Sequence, residues 1–557
     1  MLATRAHRAP LPVRRARRDA RHRPRVVCAR ATAEARAASP WTSLDVTLER
    51  AREAAQRAES GALWGTGTHL GLPANWYVRY RDEAFVEETM NAELCYVSGR
   101  ARGTKGECWE EDFSGYAQRL ELDDAEALTL SAWTRTGYWC EHACVEEYLD
   151  LEFLGENAGG VELKMKLKRG RVTATLTLDA QTSLPAKLAV AVCGDEDVWV
   201  FDDWRRDATG AAYAAKTQLF GTNGGVQEFY VTGVASGRSK EGWGIFDKPN
   251  KKPRTVTVDT TVSSEVPTVR ASSSHVLVEP IINGKNVGPF ILDTGASGLV
   301  VTPRAAQRLG LRAFGEVHVS GVSGRVPCQF RRGDDLKLGP LTLQRPVFME
   351  MGLDGIVSGA RKPIAGIIGF DAFKNAILSV SEGGTCVDLY AADQVDNIDE
   401  NWAWQELRLV SNVPHISATF SGANIEHQTK PNIFMIDSGA GGADVIFHSK
   451  AVEELGLTQL LGPEGNRVSS RVRGVSGANG ESAGATMTYR TSMDWLELVS
   501  AGADGANVRF ENVDTLLASG PGFSLSEHSC GMICARLLGT QRIVYDVPRR
   551  RIAFVAK

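Results

Sequence analysis

Long apolar runs are missing from this chain of 557 residues: no stretch approaches eighteen consecutive apolar positions, so no membrane span is expected. Metal-ligand spacing is missing as well. Cys140-Glu141-His142-Ala143-Cys144 hints at it, but no second ligand pair stands at zinc distance. A buried pair of thiols, or a disulfide, is the reading there, and Cys530 with Cys534 is read in the same way. The ten cysteines give no disulfide framework, and neither a metal nor a cofactor is expected. What remains, 43% apolar and 23% charged residues, is the composition of a soluble globular protein. The length is too great for one ordinary core, and three or four units are expected.

Acids are scarce at the N-terminus. Arg5, Arg8, Arg14, Arg15, Arg17, Arg18, Arg21, Arg23 and Arg25 stand against Asp19 alone before Cys28. There is no secretory apolar core. Arg-rich, acid-poor leaders are typical of organelle transit peptides, and Val26-Val27-Cys28-Ala29 reads as a chloroplast processing site. Residues 1–36 are therefore expected to be a transit peptide or disordered leader. The destination is the chloroplast, with the mitochondrion as the alternative. A basic tail touching nucleic acid is the competing reading. Residues 1–28 carry a net +8, so the rest of a chain of net charge −4 carries about −12. Such a remainder is a poor candidate for nucleic-acid binding.

Period and punctuation divide the remainder. Leu44 to Ala58 reads as a helix, with Leu44, Leu48, Ala51 and Ala55 at helical spacing. Val161 to Leu167 alternates strictly, turns at Arg169-Gly170 and resumes from Val172 to Leu178, a hairpin with one wet face. Trp76 to Tyr80 and Val198 to Phe201 read as further strands, with a helix near Ala125 to Trp133. Residues 44–255 are thus expected to be a helix plus an antiparallel β domain. Its aromatic residues either line a groove for a peptide or lipid, or form its core. The polar run Asp247 to Arg254 leads into a linker, 256–272.

The last part of the chain repeats itself. Ile291-Leu292-Asp293-Thr294-Gly295-Ala296 is answered by Met435-Ile436-Asp437-Ser438-Gly439-Ala440. Gln307-Arg308-Leu309-Gly310-Leu311 is answered by Glu453-Glu454-Leu455-Gly456-Leu457. Gly321-Val322-Ser323-Gly324 is answered by Gly474-Val475-Ser476-Gly477, Ile367-Ile368-Gly369 by Met532-Ile533-Cys534, and Ile377-Leu378-Ser379-Val380 by Ile543-Val544-Tyr545-Asp546. Order is kept while the offset grows, as a duplication with variable loops requires. Residues 273–395 and 396–557 are the two expected lobes. An apolar strand ending in Asp buries the acid at a tight turn. Thr294 or Ser438 offers a hydroxyl across that turn, and Gly295 or Gly439 allows close backbone approach. If the loops meet about a two-fold axis, Asp293 and Asp437 reach one water and share one proton. One carboxylate then serves as base on the water while the other, protonated, polarises a carbonyl.

Both halves resemble the retropepsin-like aspartic proteases, whose lobe reads apolar-apolar-Asp-(Thr/Ser)-Gly-Ala, a Gly-containing flap, and apolar-apolar-Gly before a short helix. The resemblance covers about residues 273 to 557. It implies Asp293 and Asp437 as the catalytic pair, with Thr294, Gly295, Ser438 and Gly439 supporting the loops. It also implies flaps at Gly321, Val322, Ser323 and Gly324 and at Gly474, Val475, Ser476 and Gly477. The implied activity is that of an aspartic-type endopeptidase acting on an extended polypeptide, monomeric because both lobes lie in one chain. The second lobe departs from the pattern at Cys534, where the first has Gly369; a gapped alignment would use Leu537-Leu538-Gly539 instead. In the family that glycine lies close behind the acid loop. A thiol is small enough for the fold to survive there, but the placing of the second acid is put in question, which leaves open a catalytically silent peptide-binding protein, or a first lobe that pairs between two chains. Residues 61 to 255 resemble, through Cys108-Trp109-Glu110-Glu111-Asp112-Phe113-Ser114-Gly115, the domain that precedes the lobes in some bacterial aspartyl-protease-like proteins, with a curved sheet like that of lipoprotein carriers. The expected fold is therefore mainly β: an N-terminal antiparallel curved sheet domain, then two retropepsin-like β lobes forming a pseudo-two-fold pair.

Overall fold

The structure is a computed structural model. It describes residues 41–555 apart from 104–105, 193–194, 223, 238–241, 252, 254, 322–323, 395–397, 400, 422–429, 462–468, 474–475, 478–484, 501–506, 521–522 and 524–525. The expected leader, and Val322, Ser323, Gly474 and Val475 of the expected flaps, lie outside the described residues. Trp41–Lys557 forms one compact unit, mainly β.

Ser43 caps the helix Leu44–Ala55, its Oγ accepting the Val46 N–H at 3.4 Å. The helix stops short of Ala58 because Gln56 turns left-handed, φ 44°, and its N–H closes on the Arg52 carbonyl. A curved sheet of thirteen antiparallel strands follows, from Ser60 to Ser236. Its first strand, Ser60–His69, lies in the interior, between Leu72–Arg81 and the last strand, Val226–Ser236. The chain meanders out to the edge strand Ala117–Arg119. The helix Leu122–Thr136 then carries it across to the far edge, Leu149–Asn157, from which it meanders back. Leu63, Trp76, Val78, Trp199 and Phe229 of the sheet pack with Leu130 and Trp133 of that helix. Most aromatic residues here are thus core, while Trp64, Phe220 and Tyr230 are exposed. In the hairpin Gly160–Leu167 and Thr173–Leu178, Val161, Leu163 and Met165 are fully buried and Lys164 is exposed, as side-chain alternation requires.

Further on, two sheets repeat each other strand for strand. The first runs Val269–Arg270, Val276–Val278, Phe290–Leu292, Gly366–Ile368, Leu299–Val301, Val347–Gly352, Gly324–Arg332, Arg312–Gly321. The second runs Arg408–Val410, Val413–Ser421, Asn432–Asp437, Ser529–Cys534, Val445–Phe447, Val508–Ala518, Ala485–Leu498, Ser469–Arg473. In both, the third and fourth strands are parallel, and so are the fifth and sixth. Phe290, Ile291 and Leu292 are all buried; parallel strands covered on both faces read as unbroken apolar runs. A six-stranded sheet joins the two halves. At its centre Ala376–Val380 pairs antiparallel with Arg542–Asp546, placing Leu378 opposite Tyr545 and Val380 opposite Ile543. One buried cluster, with Phe290 and Leu292 from one half and Phe434 and Ile436 from the other, runs through both.

Candidate active site

Each acid stands at the end of a buried strand, and the two strands bring the acids face to face. Asp293 follows Phe290–Leu292, its N–H donating to the Ile368 carbonyl at 2.9 Å, and Asp437 ends Asn432–Asp437. Gly295 N–H donates to Asp293 Oδ1 at 2.7 Å, and Gly439 N–H to Asp437 Oδ1 at 2.9 Å. The glycines do more than permit the turn. A Cβ on Gly295 would stand 2.5 Å from the Asp437 carboxyl carbon, and one on Gly439 would overlap the Asp293 carboxyl. Each loop's glycine is therefore the space that the opposite acid occupies.

The hydroxyls also reach farther than expected. Thr294 Oγ1 accepts the Ser438 N–H at 3.0 Å and donates to the Ile436 carbonyl at 2.7 Å. Ser438 Oγ accepts the Thr294 N–H at 3.0 Å and donates to the Leu292 carbonyl at 2.9 Å. The sequence suggested a bond across each hydroxyl's own turn; in the structure both reach across to the opposite loop, each taking an N–H and serving a carbonyl there.

Asp293 and Asp437 are each 8% exposed. Burial raises Asp293 above the ordinary carboxylate value, against the Gly295 N–H that favours its ionised form. Burial, and then the neighbouring Asp293, raise Asp437 well above it. Two carboxyls set this close cannot both ionise easily.

Cys534 sits in a second loop that is built differently from the first. Strand register sets it opposite Asp437, so it holds the place of Gly369, while Leu537 and Leu538 belong to the helix Ala535–Leu538. At Gly369 a Cβ would lie 2.6 Å from the Ala296 carbonyl oxygen. The second loop differs: register equates Val445 with Leu299, which leaves two more residues after Asp437 than after Asp293. Cys534 N–H donates to the Asp444 carbonyl at 2.9 Å, and the thiol is buried among Val413, Met435, Ala443 and Ile446. Arg536 holds that longer loop from outside, Nε to Asp444 Oδ1 at 2.7 Å and Nη2 to Oδ2 at 2.9 Å.

Gly321 and Gly324 pair across the tip of the hairpin Arg312–Gly321 and Gly324–Arg332. That hairpin is backed by the N-terminal sheet. Phe314, Val317, Val326 and Phe330 share a cluster with Leu70 and Leu94, Glu316 N–H donates to the Leu70 carbonyl at 2.9 Å, and Arg325 pairs with Asp195. In the second sheet Ser469–Arg473 and Ala485–Leu498 form the corresponding hairpin, and Ser476 and Gly477 between them cross to the first lobe and pair with Gly352 and Met351. The described cysteines, Cys140, Cys144, Cys530 and Cys534 among them, are free. Among the described residues there is no His, Cys, Asp and Glu cluster able to hold a metal ion, and no helix long and apolar enough to cross a membrane.

One residue at the site gave no signal in the sequence. His275, 2% exposed, sets Nε2 at 2.7 Å from the Gly439 carbonyl oxygen. It stands alone in a serine-rich loop, and its partner lies 164 residues away.

With this geometry in place, residues 278–372 match the profile of a family described as aspartyl protease. The match spans Asp293, the first hairpin and Gly369. No curated protein matches the chain. Among solved structures, the chain is similar to an aspartic proteinase from Irpex lacteus at 13% identity and a TM-score of 0.35, covering 52% of this chain and 97% of that one. Basic 7S globulin from soybean gives 14% and 0.31, over 55% and 97%. A DUF1329 family protein from Desulfovibrio piger gives 10% and 0.28, over 37% and 98%.

Proposed function

We propose that this chain is an aspartic endopeptidase whose Asp293 and Asp437 act together on one water. The observation that carries the reading is reciprocal space: Gly295 is open to the Asp437 carboxyl and Gly439 to that of Asp293. The ionised carboxylate takes a proton from water as its oxygen attacks the scissile carbonyl carbon. The protonated partner gives its proton to the carbonyl oxygen, forming a gem-diol. The proton taken from water then passes to the amide nitrogen, the C–N bond breaks, and a diol proton returns to the pair. An extended polypeptide, held along its backbone as an added strand between the two hairpins, is the proposed substrate. The silent-binder reading was motivated by Cys534; the longer second loop, with the thiol in an apolar cluster, supports the catalytic reading over it.

Protein lacking the leader, incubated with a peptide library across pH, should cleave. A statine-type transition-state mimic should block it, and Asp293→Asn or Asp437→Asn should each remove nearly all of it, since residues acting as one unit are not additive. Activity should fall as pH rises past the loss of the shared proton. Binding of the mimic without cleavage would sink the enzyme. Activity surviving Asp437→Asn but not Asp293→Asn would move the reading to pairing between chains. Targeting belongs to the same proposal: residues 1–45 fused to a fluorescent protein should enter plastids and be trimmed near Cys28, and a cytosolic or nuclear signal would count against it.

A further inference from the structure

The two acid loops differ in one polar contact that crosses between lobes. His275 precedes the strand Val276–Val278 of the first lobe, yet its Nε2 lies 2.7 Å from the carbonyl oxygen of Gly439, in the second acid loop. A carbonyl only accepts, so Nε2 carries the proton. On the ring's other side, Nδ1 is 2.8 Å from Ser273 Oγ, which in turn accepts the Ser358 N–H at 3.2 Å. The ring is thus held from behind by a serine tied to a neighbouring loop. The second loop is shaped to receive it: a Cβ on Gly441 would stand 2.8 Å from the Ser273 carbonyl oxygen and 3.2 Å from His275 Cε1.

Among the described residues this contact has no two-fold copy. Register equates Leu277 with His415, and therefore His275 with Val413, which has no side-chain donor. The residue equivalent to Gly441, four past the acid, is Ser297. The peptide that His275 touches links Gly439 to Ala440, and the N–H of Ala440 turns back on Asp437. A donor on a peptide oxygen strengthens the N–H of the same peptide as a donor.

We infer that His275 is a positioning residue for the acid pair: reaching across from the first lobe, it fixes the Gly439–Ala440 peptide and so seats Asp437 against Asp293. The inference rests on the proposed chemistry of that pair. A loop released from this contact keeps its fold but loses alignment, and misplacement on the order of 1 Å costs about a hundredfold in rate.

Three substitutions separate positioning from filling. His275→Gln keeps a donor where Nε2 stood, His275→Asn keeps polarity only on the Ser273 side, and His275→Leu keeps volume alone. The expected result is that Asn and Leu lower kcat by roughly ten- to a hundredfold with KM within about threefold, while Gln restores most of kcat. Hydrogen exchange of a fragment spanning residues 436–445 is read on the same proteins, with acceleration in Asn and Leu and not in Gln. Equal kcat in Gln and Asn, or wild-type turnover in Leu, would overturn the inference. If the unsubstituted protein cleaves nothing, the proposed function fails, and the exchange series still decides whether His275 seats the loop: equal exchange in all four proteins refutes it.

Discussion

The thiol of Cys534 and the carboxyl of Asp437 show how a single residue is judged by what surrounds it. Had Cys534 displaced the second acid, glycine there would raise the rate. The longer loop predicts the opposite. Cys534→Gly removes a buried side chain from an apolar cluster and places glycine in a strand, so it should cost about 1–3 kcal/mol in urea unfolding with no gain in turnover. A gain in turnover would show that the thiol does press on the loop. Asp437 carries a pH-dependent cost instead. Burial and Asp293 raise its folded value above the ordinary one, so the folded chain keeps a proton that the unfolded chain has released. Stability is therefore full below about pH 4 and is lost as pH rises toward the raised folded value. Asp437→Asn removes that loss. It should stabilise the protein at pH 7 by about 0.5–2 kcal/mol, as neutralising a functional-site group commonly does, and change little at pH 3. Equal effects at the two pH values would mean that the carboxyl is not held protonated.

Elements that looked independent in the sequence are joined through buried charge. The segment Cys108 to Gly115 was singled out for its likeness to another domain. In the structure its Asp112 accepts the Ser114 N–H at 2.8 Å and meets Lys374 Nζ at 2.5 Å. Lys374 follows the short helix Phe370–Phe373, where it also meets Asp371 Oδ1 at 2.6 Å, and its ammonium is 5.8 Å from the Phe113 ring. At 3% exposure, the lysine is the counter-charge of two half-buried acids, one beside the N-terminal sheet and one in the first lobe. Lys374→Met should cost about 3–5 kcal/mol, because removing one partner leaves unpaired charge behind. Adding Asp112→Asn and Asp371→Asn should recover much of it. Urea titrations of the single and triple variants give the answer, and a loss under about 1 kcal/mol for the single change would place the triad in water.

At the scale of the whole molecule, what the sequence shows and what it hides divide by distance along the chain. The acid loops, the 160s hairpin and the repeated strand order were legible because each rests on local pattern: an apolar run, a two-residue period, a glycine at a fixed offset. Contacts between distant segments were not legible, since a period reports that a face is buried and never against what. His275 on Gly439 is one such contact, and the N-terminal sheet against both lobes is another. Leu70 and Leu94 enter the cluster of Phe314 and Phe330 in the first lobe. In the second, the helix Leu122–Thr136 takes part: Asp123 accepts from Ser526 Oγ and from the Glu527 N–H, both at 2.5 Å, while Arg550 Nη2 donates to the Arg119 carbonyl at 2.7 Å. If these surfaces are shared core, the sheet and the lobes cannot melt separately. Calorimetry of residues 41–557 should then show one transition whose van't Hoff and calorimetric enthalpies agree. Leu94→Ala tests this, since Leu94 is 2% exposed in a cluster that both parts line. Its truncation should cost about 2–5 kcal/mol and lower the entire transition by several degrees without splitting it, at most about 2–4 °C per kcal/mol for a chain of this size. Two resolved transitions, with only one displaced by Leu94→Ala, would mean that the sheet is a separate body resting on the lobes rather than part of their core.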